Sequence, residues 1–240
     1  MSEPGSLIRA LTGRQPARNY HSFVINEVGL AIVSGRMPVG SILPGDAEMM
    51  DRFGVSRTVL REALKTLEAK GLVEARAKVG TRVLPQPRWN LFDRQVLSWL
   101  LESGPSPALL QHFRTVRLAL ELEAAEGAAR NREAEHMRLL HYWLKQRALM
   151  SMQPEPFALA EFEIHRVVAE ASGNPFLRAA TALSEFGVAS SVLRQLGPEL
   201  QSPAEGLACA RADGYSRLVF AIEAGDAGLS RQTMSDLLSD

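Results

Sequence analysis

The feature that most constrains the fold is a three-residue turn at 54–56, which separates two stretches of helical periodicity. Its last residue, Ser56, is a typical N-cap, because a serine hydroxyl can accept a hydrogen bond from the free N–H groups at a helix start. A helix is therefore predicted after Ser56, through Lys70. Upstream, Asp46 is predicted to cap a short helix that ends at Phe53. Two helices joined by so short a turn predict a helix-turn-helix.

The sequence beyond the second helix indicates a small hairpin. Residues 72–75 and 81–84 resemble two short strands, and residues 78–80 between them end in a glycine. Helix, turn, helix and glycine-tipped hairpin, in this order, predict a winged helix-turn-helix over residues 21–85. Residues 1–20 lack the apolar run of a secretory signal and are expected to form a flexible tail.

The helix after the turn has two different faces. Its apolar positions are Val59, Leu60, Ala63, Leu64 and Leu67. The opposite face carries Arg57, Thr58, Arg61 and Lys65. A DNA-reading helix needs this division, because one side is anchored in the core while arginine forks on the other can bond guanine O6 and N7. The alternative is an ordinary solvated amphipathic helix, which would also place its basic residues outside.

Charge and composition limit the partners. Residues 1–90 hold 13 Lys and Arg against 8 Asp and Glu, whereas residues 91–240 hold 14 against 19. The first part is therefore expected to attract a polyanion. No run of about 18 uncharged apolar residues exists, so no membrane partner is expected. The single cysteine, Cys209, excludes an intrachain disulfide and suits a reducing cytoplasm.

The rest of the chain is helical in its periodicity. Residues 86–91 are rich in proline at their start and are expected to form a linker. Residues 92–240 are expected to form an all-helical effector-binding and dimerisation domain. Its helices are predicted at 92–102, 106–130, 132–150, 157–172, 175–196, 204–224 and 226–238. The fold class is therefore mainly α, with a winged helix-turn-helix followed by a helical bundle.

The first half resembles the GntR family of bacterial regulators. The matching segments are Leu43-Pro44, residues 53–58 (FGVSRT), residues 60–64 (LREAL), Leu67 and residues 71–73 (GLV). The resemblance implies contacts with double-stranded operator DNA through Arg57, Thr58, Arg61 and Gly80, with Ser56 capping the helix and touching phosphate. One departure is Ala47, where family members often carry an arginine that contacts DNA.

The second half resembles the FadR-type subfamily, whose effector-binding domain follows the winged helix. The matching segments are residues 113–121, 161–175 and 221–226. The stretch from Trp89 to Trp99 also resembles galactonate-type regulators of sugar-acid breakdown. The resemblance implies a homodimeric regulator, most simply a repressor of a catabolic operon, that responds to a small effector.

Most members of the subfamily bind a divalent metal through an acid and three histidines. Glu161 and His165 stand four residues apart, so a helix would point both at one cavity. The other two histidine positions are occupied by Tyr215 and Leu237. Because two protein ligands rarely hold zinc tightly, no metal and no other cofactor is expected. The alternatives are a metal-dependent organic-acid sensor and a plain surface pair between Glu161 and His165.

An effector site without metal needs another cation. Arg117 is the preferred ligand for an effector carboxylate, since a guanidinium can grip it with two hydrogen bonds, and Arg114 is the reserve. The alternative for Arg117 is a structural pair with Glu121, one helical turn later. Tyr215 and His165 are then expected to bond effector hydroxyls, as in a sugar acid. A fatty acyl-CoA is the alternative effector.

Two other classes of protein compete with a DNA-binding regulator. An enzyme is not expected, because the sequence contains no glycine-rich phosphate loop, nucleophile elbow or His-Glu-x-x-His motif. The second is a winged helix that contacts protein or RNA. Arginines at two exposed positions of the second helix, Arg57 and Arg61, favour DNA instead.

Overall fold

The structure is a computed structural model that describes residues 4–10, 20–196 and 212–239. These residues form two compact units. One unit contains the described residues from 20 to 105. The other contains a short first helix, α1 (Ser6–Ala10), together with the described residues from 106 onward. Within the described ranges, no helix has both the length and the apolar character needed to cross a membrane.

The first unit is a winged helix-turn-helix with one added helix. Its elements are α2 (Tyr20–Val33), α3 (Asp46–Phe53), α4 (Arg57–Ala69), β1 (Val73–Arg76), β2 (Gly80–Val83), a 3-10 turn (Gln86–Arg88) and α5 (Arg94–Ser103). The strands pair antiparallel, with Val73 opposite Val83 and Arg76 opposite Gly80. The predicted mainly α fold with its winged helix-turn-helix is confirmed.

Local chemistry explains the turn between α3 and α4. Gly54 adopts a left-handed conformation with φ of 63°, which ends α3, and the next helix is capped by the Ser56 hydroxyl. That hydroxyl accepts a hydrogen bond from the backbone N–H of Val59 at 3.4 Å. Leu60 and Leu67 are fully buried against the unit, so the opposite face of α4 is left to solvent.

The expected linker at 86–91 is instead packed on the winged helix. The Trp89 ring is buried, and its Nε1–H donates to the Leu84 carbonyl at 3.0 Å. The backbone N–H of Asn90 donates to the carbonyl of Lys70 at 2.9 Å. A Cβ on Gly71 would lie 2.0 Å from the Arg88 carbonyl oxygen, so this close passage requires glycine. The prediction of a linker here is therefore corrected.

Helix α5 also belongs to the first unit. The helix predicted at 92–102 is present, but Trp99 packs its buried ring against Gly29 of α2. The side chains of Gln95 and Trp99 both donate to the Asn26 side-chain oxygen, at 2.9 Å and 3.3 Å. The boundary predicted at residue 92 is therefore corrected to the stretch near residue 105.

The second unit is the predicted helical bundle. Its further elements are α6 (Pro107–Asn131), α7 (Ala134–Leu149), α8 (Pro154–Ala171), α9 (Pro175–Ala179), α10 (Thr181–Leu196), α11 (Ala212–Ala224) and α12 (Ala227–Ser239). Helix α8 is central, because α6, α7 and α10 all pack against it. The helix predicted at 175–196 is interrupted at Ala180. Residues 204–211, including Cys209, lie outside the described residues.

The expected flexible tail is wrong for residues 4–10. Leu7 and Ile8 of α1 are buried, and α1 packs on α8 and α10. The backbone N–H of Leu7 donates to the Glu185 carboxylate at 2.7 Å, a group that is itself fully buried. Two buried apolar side chains and a hydrogen bond to a buried acid fix this segment in the bundle.

Candidate nucleic-acid interface and effector cavity

The exposed face of α4 brings together the residues predicted to contact DNA. Arg57, Thr58, Arg61 and Lys65 are all exposed along this helix. Ser56 is exposed as well, with its hydroxyl engaged in the cap. Among the described residues, no carboxylate pairs with Arg57 or Arg61. Two guanidiniums near a helix start are thus available to an external acceptor.

Lys65 differs from the two arginines. Its ammonium lies 2.8 Å from a carboxylate oxygen of Glu62, and both side chains are exposed. The hydrogen bond and the charge of Lys65 hold the pKa of Glu62 below its usual value. An exposed pair of this kind contributes little stability, so a phosphate can replace Glu62 as the partner at small cost.

The wing supports the predicted place of Gly80 at the hairpin. Gly80 is exposed with φ of 107°, and a Cβ there would approach a methyl group of Ile42 at 3.0 Å. The residue is therefore glycine for reasons of backbone conformation and space. On α3, Ala47 is exposed, and its methyl group offers no hydrogen-bond donor. The predicted loss of one family contact at Ala47 fits this position.

The second site is a small cavity in the helical unit. It lies among α6, α8, α9 and α10, and its polar lining consists of Arg117, Glu121, His165 and Ser184. Leucine side chains supply much of the apolar lining. The cavity volume is about 10 Å³, which is close to the space that one water molecule needs. An organic ligand would therefore have to displace side chains when it enters.

Glu121 is the centre of the cavity's charges. The Arg117 Nε–H donates to one carboxylate oxygen of Glu121 at 2.7 Å, and His165 Nδ1 contacts the other oxygen. Burial alone would raise the pKa of Glu121, but the charges of His165 and Arg117 and their hydrogen bonds outweigh it. They lower the pKa to about 2. Glu121 is therefore ionised at neutral pH although it is buried.

A second layer of polar groups lies behind His165. His165 Nε2 and the Tyr215 hydroxyl are 3.0 Å apart, and the two rings meet edge to face. Burial, followed by the charge of Glu161, raises the pKa of Tyr215 well above its usual value. Tyr215 is therefore a neutral phenol. Because both ring nitrogens of His165 are engaged, the ring orientation is fixed.

Arg147 completes this second layer. Its guanidinium donates from Nη2 to Glu161 at 3.3 Å and lies over the rings of Tyr215 and Phe157, at 4.5 Å and 4.6 Å from their centroids. The side chain is 3% exposed. Arg147 was not predicted from the sequence. The available signal was its spacing of three and seven residues from Leu144 and Leu140 on α7.

The structure separates the candidate effector residues. It brings Arg117, Glu161, His165 and Tyr215 together, whereas Arg114, one turn earlier on α6, is exposed and does not line the cavity. The prediction of Arg114 as second choice for the carboxylate ligand is therefore corrected, because its side chain does not border the cavity. Glu161 and His165 are both buried, so the alternative of a surface pair is wrong. Arg117 faces the cavity and also forms the pair with Glu121 that was the alternative for it.

The donor groups do not fit the metal that the resemblance implies. Glu161 is engaged by Arg147, and both nitrogens of His165 are engaged. Leu237 is buried with its methyl groups against Gly214, where a Cβ would come within 2.5 Å. In the described ranges, no three histidine, cysteine or acidic side chains form a group that could hold a metal. No step of the proposed function uses a metal.

Comparisons with known proteins agree with both units. Residues 22–83 match the model of bacterial regulatory proteins of the gntR family, and residues 112–240 match the FCD domain. The chain is 36% identical over 165 residues to the HTH-type transcriptional regulator YieP of Escherichia coli (strain K12), covering 68% of this chain and 72% of that protein.

A second relative carries a more specific name. The chain is 31% identical over 155 residues to the galactonate operon transcriptional repressor of Escherichia coli (strain K12), covering 65% of this chain and 68% of that protein. The solved structure of E. coli McbR/YncC shares the fold, with a TM-score of 0.54 and 17% identity over 91% of this chain and 94% of that one.

The two units and their matches define a DNA-binding regulator rather than an enzyme. The chain belongs to the GntR family of bacterial transcription regulators and carries an FCD domain. The family resemblance derived from the sequence motifs is thereby confirmed.

Proposed function

We propose that this regulator represses a catabolic operon by binding operator DNA as a homodimer, and that a small carboxylate such as a sugar acid releases it in the cytoplasm. The guanidiniums of Arg57 and Arg61, exposed and without an acidic partner in the described ranges, carry the DNA-binding part of the proposal. Near a helix start in the major groove, such groups can bond base edges, while Lys65 and Ser56 reach phosphates.

The cavity supports a carboxylate effector. Arg117 holds Glu121 through Nε, which leaves its two Nη groups able to bond an incoming carboxylate. Ser184 and His165 border the same space and can bond hydroxyl groups. The relative named for the galactonate operon supports a sugar acid as the class of effector.

The homodimer is proposed from the family and from the surface of the bundle. Phe220 on α11 and Leu229 on α12 are large apolar side chains that remain 66% and 44% exposed. Helix-turn-helix regulators commonly dimerise, so that two recognition helices read the two halves of a palindrome. A pseudo-palindromic operator is therefore expected.

A binding assay with DNA from upstream of the gene's own operon tests the DNA-binding part. Arg57→Ala and Arg61→Ala should each cost about 1–3 kcal/mol and relax base preference. Arg138→Ala is the control, because Arg138 is also an exposed arginine but lies on α7 of the other unit, where it pairs with Glu135. Unchanged affinity and specificity in both α4 variants would contradict the assignment and favour protein or RNA as the partner of the winged helix.

Calorimetry with sugar acids, short organic acids and acyl-CoA tests the effector part. An effector acts only if it binds one arrangement of the protein better, and a coupling of about 1–3 kcal/mol would change operator affinity roughly 5–150-fold. Arg117→Ala leaves Glu121 without its partner and lowers stability, so it is measured at a temperature at which circular dichroism shows the variant folded. There it should abolish the response and leave effector-free DNA binding intact, whereas Arg114→Ala should change neither. Binding of acyl-CoA alone would replace the carboxylate hypothesis with the acyl-CoA alternative.

A further inference from the structure

Arg147 has an unusual combination of burial, charge and missing partners. Its guanidinium is almost completely removed from solvent, yet within the described part of the chain it makes one long hydrogen bond, to Glu161 at 3.3 Å. Its Nε atom is buried and has no hydrogen-bond partner among the described residues. A guanidinium has five N–H donors, and at least the Nε–H donor of Arg147 is unused within the described residues.

Other interactions compensate for the buried charge. The carboxylate of Glu161 supplies the opposite charge, and the rings of Tyr215 and Phe157 offer their negative faces from within 5 Å. Cation–π contacts of a desolvated arginine are among the stronger ones. The carboxylate of Glu161 and the two ring faces together compensate for the burial of the positive charge of Arg147.

The surrounding residues include positions at which the FadR-type resemblance implies metal ligands. Arg147 bonds the acid at the first of these positions, Glu161, and covers the ring of Tyr215 at another. His165, at a third position, is hydrogen-bonded to Tyr215 through Nε2 and contacts Glu121 through Nδ1. The guanidinium of Arg147 therefore already neutralises Glu161, which a divalent ion would otherwise do.

We propose that Arg147 is a fixed internal cation that takes the place of the metal ion in this domain and makes its cavity independent of metal. The guanidinium neutralises Glu161 and supports the Tyr215 ring. The Tyr215 hydroxyl in turn orients His165 at the wall of the cavity. This assignment concerns the protein without effector and does not depend on the identity of the effector or the operator.

Metal binding tests the assignment by gain of function. We expect the full-length variant Tyr215→His/Leu237→His, which retains Arg147, to hold less than about one tenth of a Ni²⁺ or Zn²⁺ ion per chain after gel filtration. Adding Arg147→Met should free Glu161 and allow about one ion per chain, with a melting temperature that a chelator lowers. Equal metal content in the two variants would overturn the proposal.

Thermal unfolding supplies a second test that does not require metal. Arg147→Met leaves the Glu161 charge buried without compensation and should lower the melting temperature by roughly 6–20 °C. Adding Glu161→Gln should recover at least half of that loss, because the remaining group is neutral. Lys145→Met, at an exposed position on the same helix, should change the melting temperature by less than about 2 °C.

The metal-binding and thermal-unfolding experiments test the proposal together. An Arg147→Met variant as stable as the wild type would overturn it, because an internal cation that neutralises Glu161 cannot be removed without cost. Failure of Glu161→Gln to restore stability would overturn it as well, since the loss would then come from packing alone. If the triple variant Tyr215→His/Leu237→His/Arg147→Met does not fold, the thermal unfolding of Arg147→Met with and without Glu161→Gln tests the proposal.

Discussion

The same side chain, arginine, has opposite surroundings in the two units. On α4, Arg57 and Arg61 are exposed, and among the described residues neither is paired with an acid. In the bundle, Arg117 and Arg147 are largely buried, and each bonds a glutamate. The N–H donors of Arg57 and Arg61 are available to an external partner. Arg117 and Arg147 instead use some of their N–H donors within the bundle.

This difference determines what a substitution measures. Removing an exposed, unpaired guanidinium changes binding while the free energy of unfolding stays nearly constant. Removing one member of a buried pair leaves the other charge without compensation, so the loss of stability precedes any loss of binding. Effects on DNA binding and on folding should therefore separate cleanly between the two units.

The largest expected effect concerns Glu121, the buried acid that Arg117 and His165 both contact. Glu121→Ala should lower the free energy of unfolding by about 3–5 kcal/mol, because Arg117 loses its carboxylate in a buried site. Glu123→Ala is the control on the same helix, where an exposed pair with Arg231 should contribute about 1 kcal/mol or less. Chemical denaturation measures both, and equal losses would show that burial does not distinguish the two acids.

The pH dependence of the free energy of unfolding should reveal the ionisation of Glu121 as well. The pKa of Glu121 falls from its usual 4.5 to about 2 in the folded chain, so its contribution is fully present above pH 4.5. This contribution should be lost between pH 4.5 and pH 2, and amounts to on the order of 3 kcal/mol. Denaturation of Glu121→Gln should show a smaller loss over this range, and an identical pH profile would contradict the lowered pKa.

A smaller effect is expected from Lys65 on the exposed face. Lys65→Ala should weaken binding to operator and to unrelated DNA by the same factor and reduce the slope of log affinity against log salt by about 1. The reason is that a lysine ammonium contacts phosphate without reading sequence. Lys145→Ala serves as control in titrations at several salt concentrations. A change in base preference would instead place Lys65 on a base edge.

The smallest effect should come from the partner of Lys65. Glu62→Ala removes a negative charge from the reading face and frees the ammonium now bonded at 2.8 Å. DNA affinity should rise by roughly 0.3–0.5 kcal/mol at low salt and approach the wild-type value at high salt, because surface charges are screened. The same substitution at Glu135, an exposed acid on α7, should leave affinity unchanged. A decrease for Glu62→Ala would indicate that the pair positions Lys65 for DNA.

Local signals predicted the winged helix well. The turn with Ser56 and the glycine-tipped hairpin depend on neighbouring residues, so capping and strand patterns were sufficient to predict them. Periodicity also predicted the helix at Trp99, but it indicates only that one face is buried and not which unit covers it. The five residues of α1 are too few for a periodic signal, and their partners lie far along the chain.

The candidate effector site was predicted in part. Arg117, His165 and Tyr215 followed from helical spacing and from the family resemblance, and the structure brings them to one region. Arg147 was missed because an arginine is normally assigned to the surface, although its spacing from Leu140 places it on the buried face of α7. The role of Gly187 was also hidden, since it makes room for the Arg117 guanidinium on another helix.

Helix α1 has a consequence for the order in which the protein is synthesised. Leu7 and Ile8 leave the ribosome well before Glu185, the acid that Leu7 bonds, which lies 178 positions later in the chain. Both apolar side chains therefore lack their binding surface while the winged helix, which needs only local contacts, can already fold. Helix α1 can bond Glu185 only after that residue has been translated, so α1 docks on the bundle late in synthesis although it is translated before the winged helix.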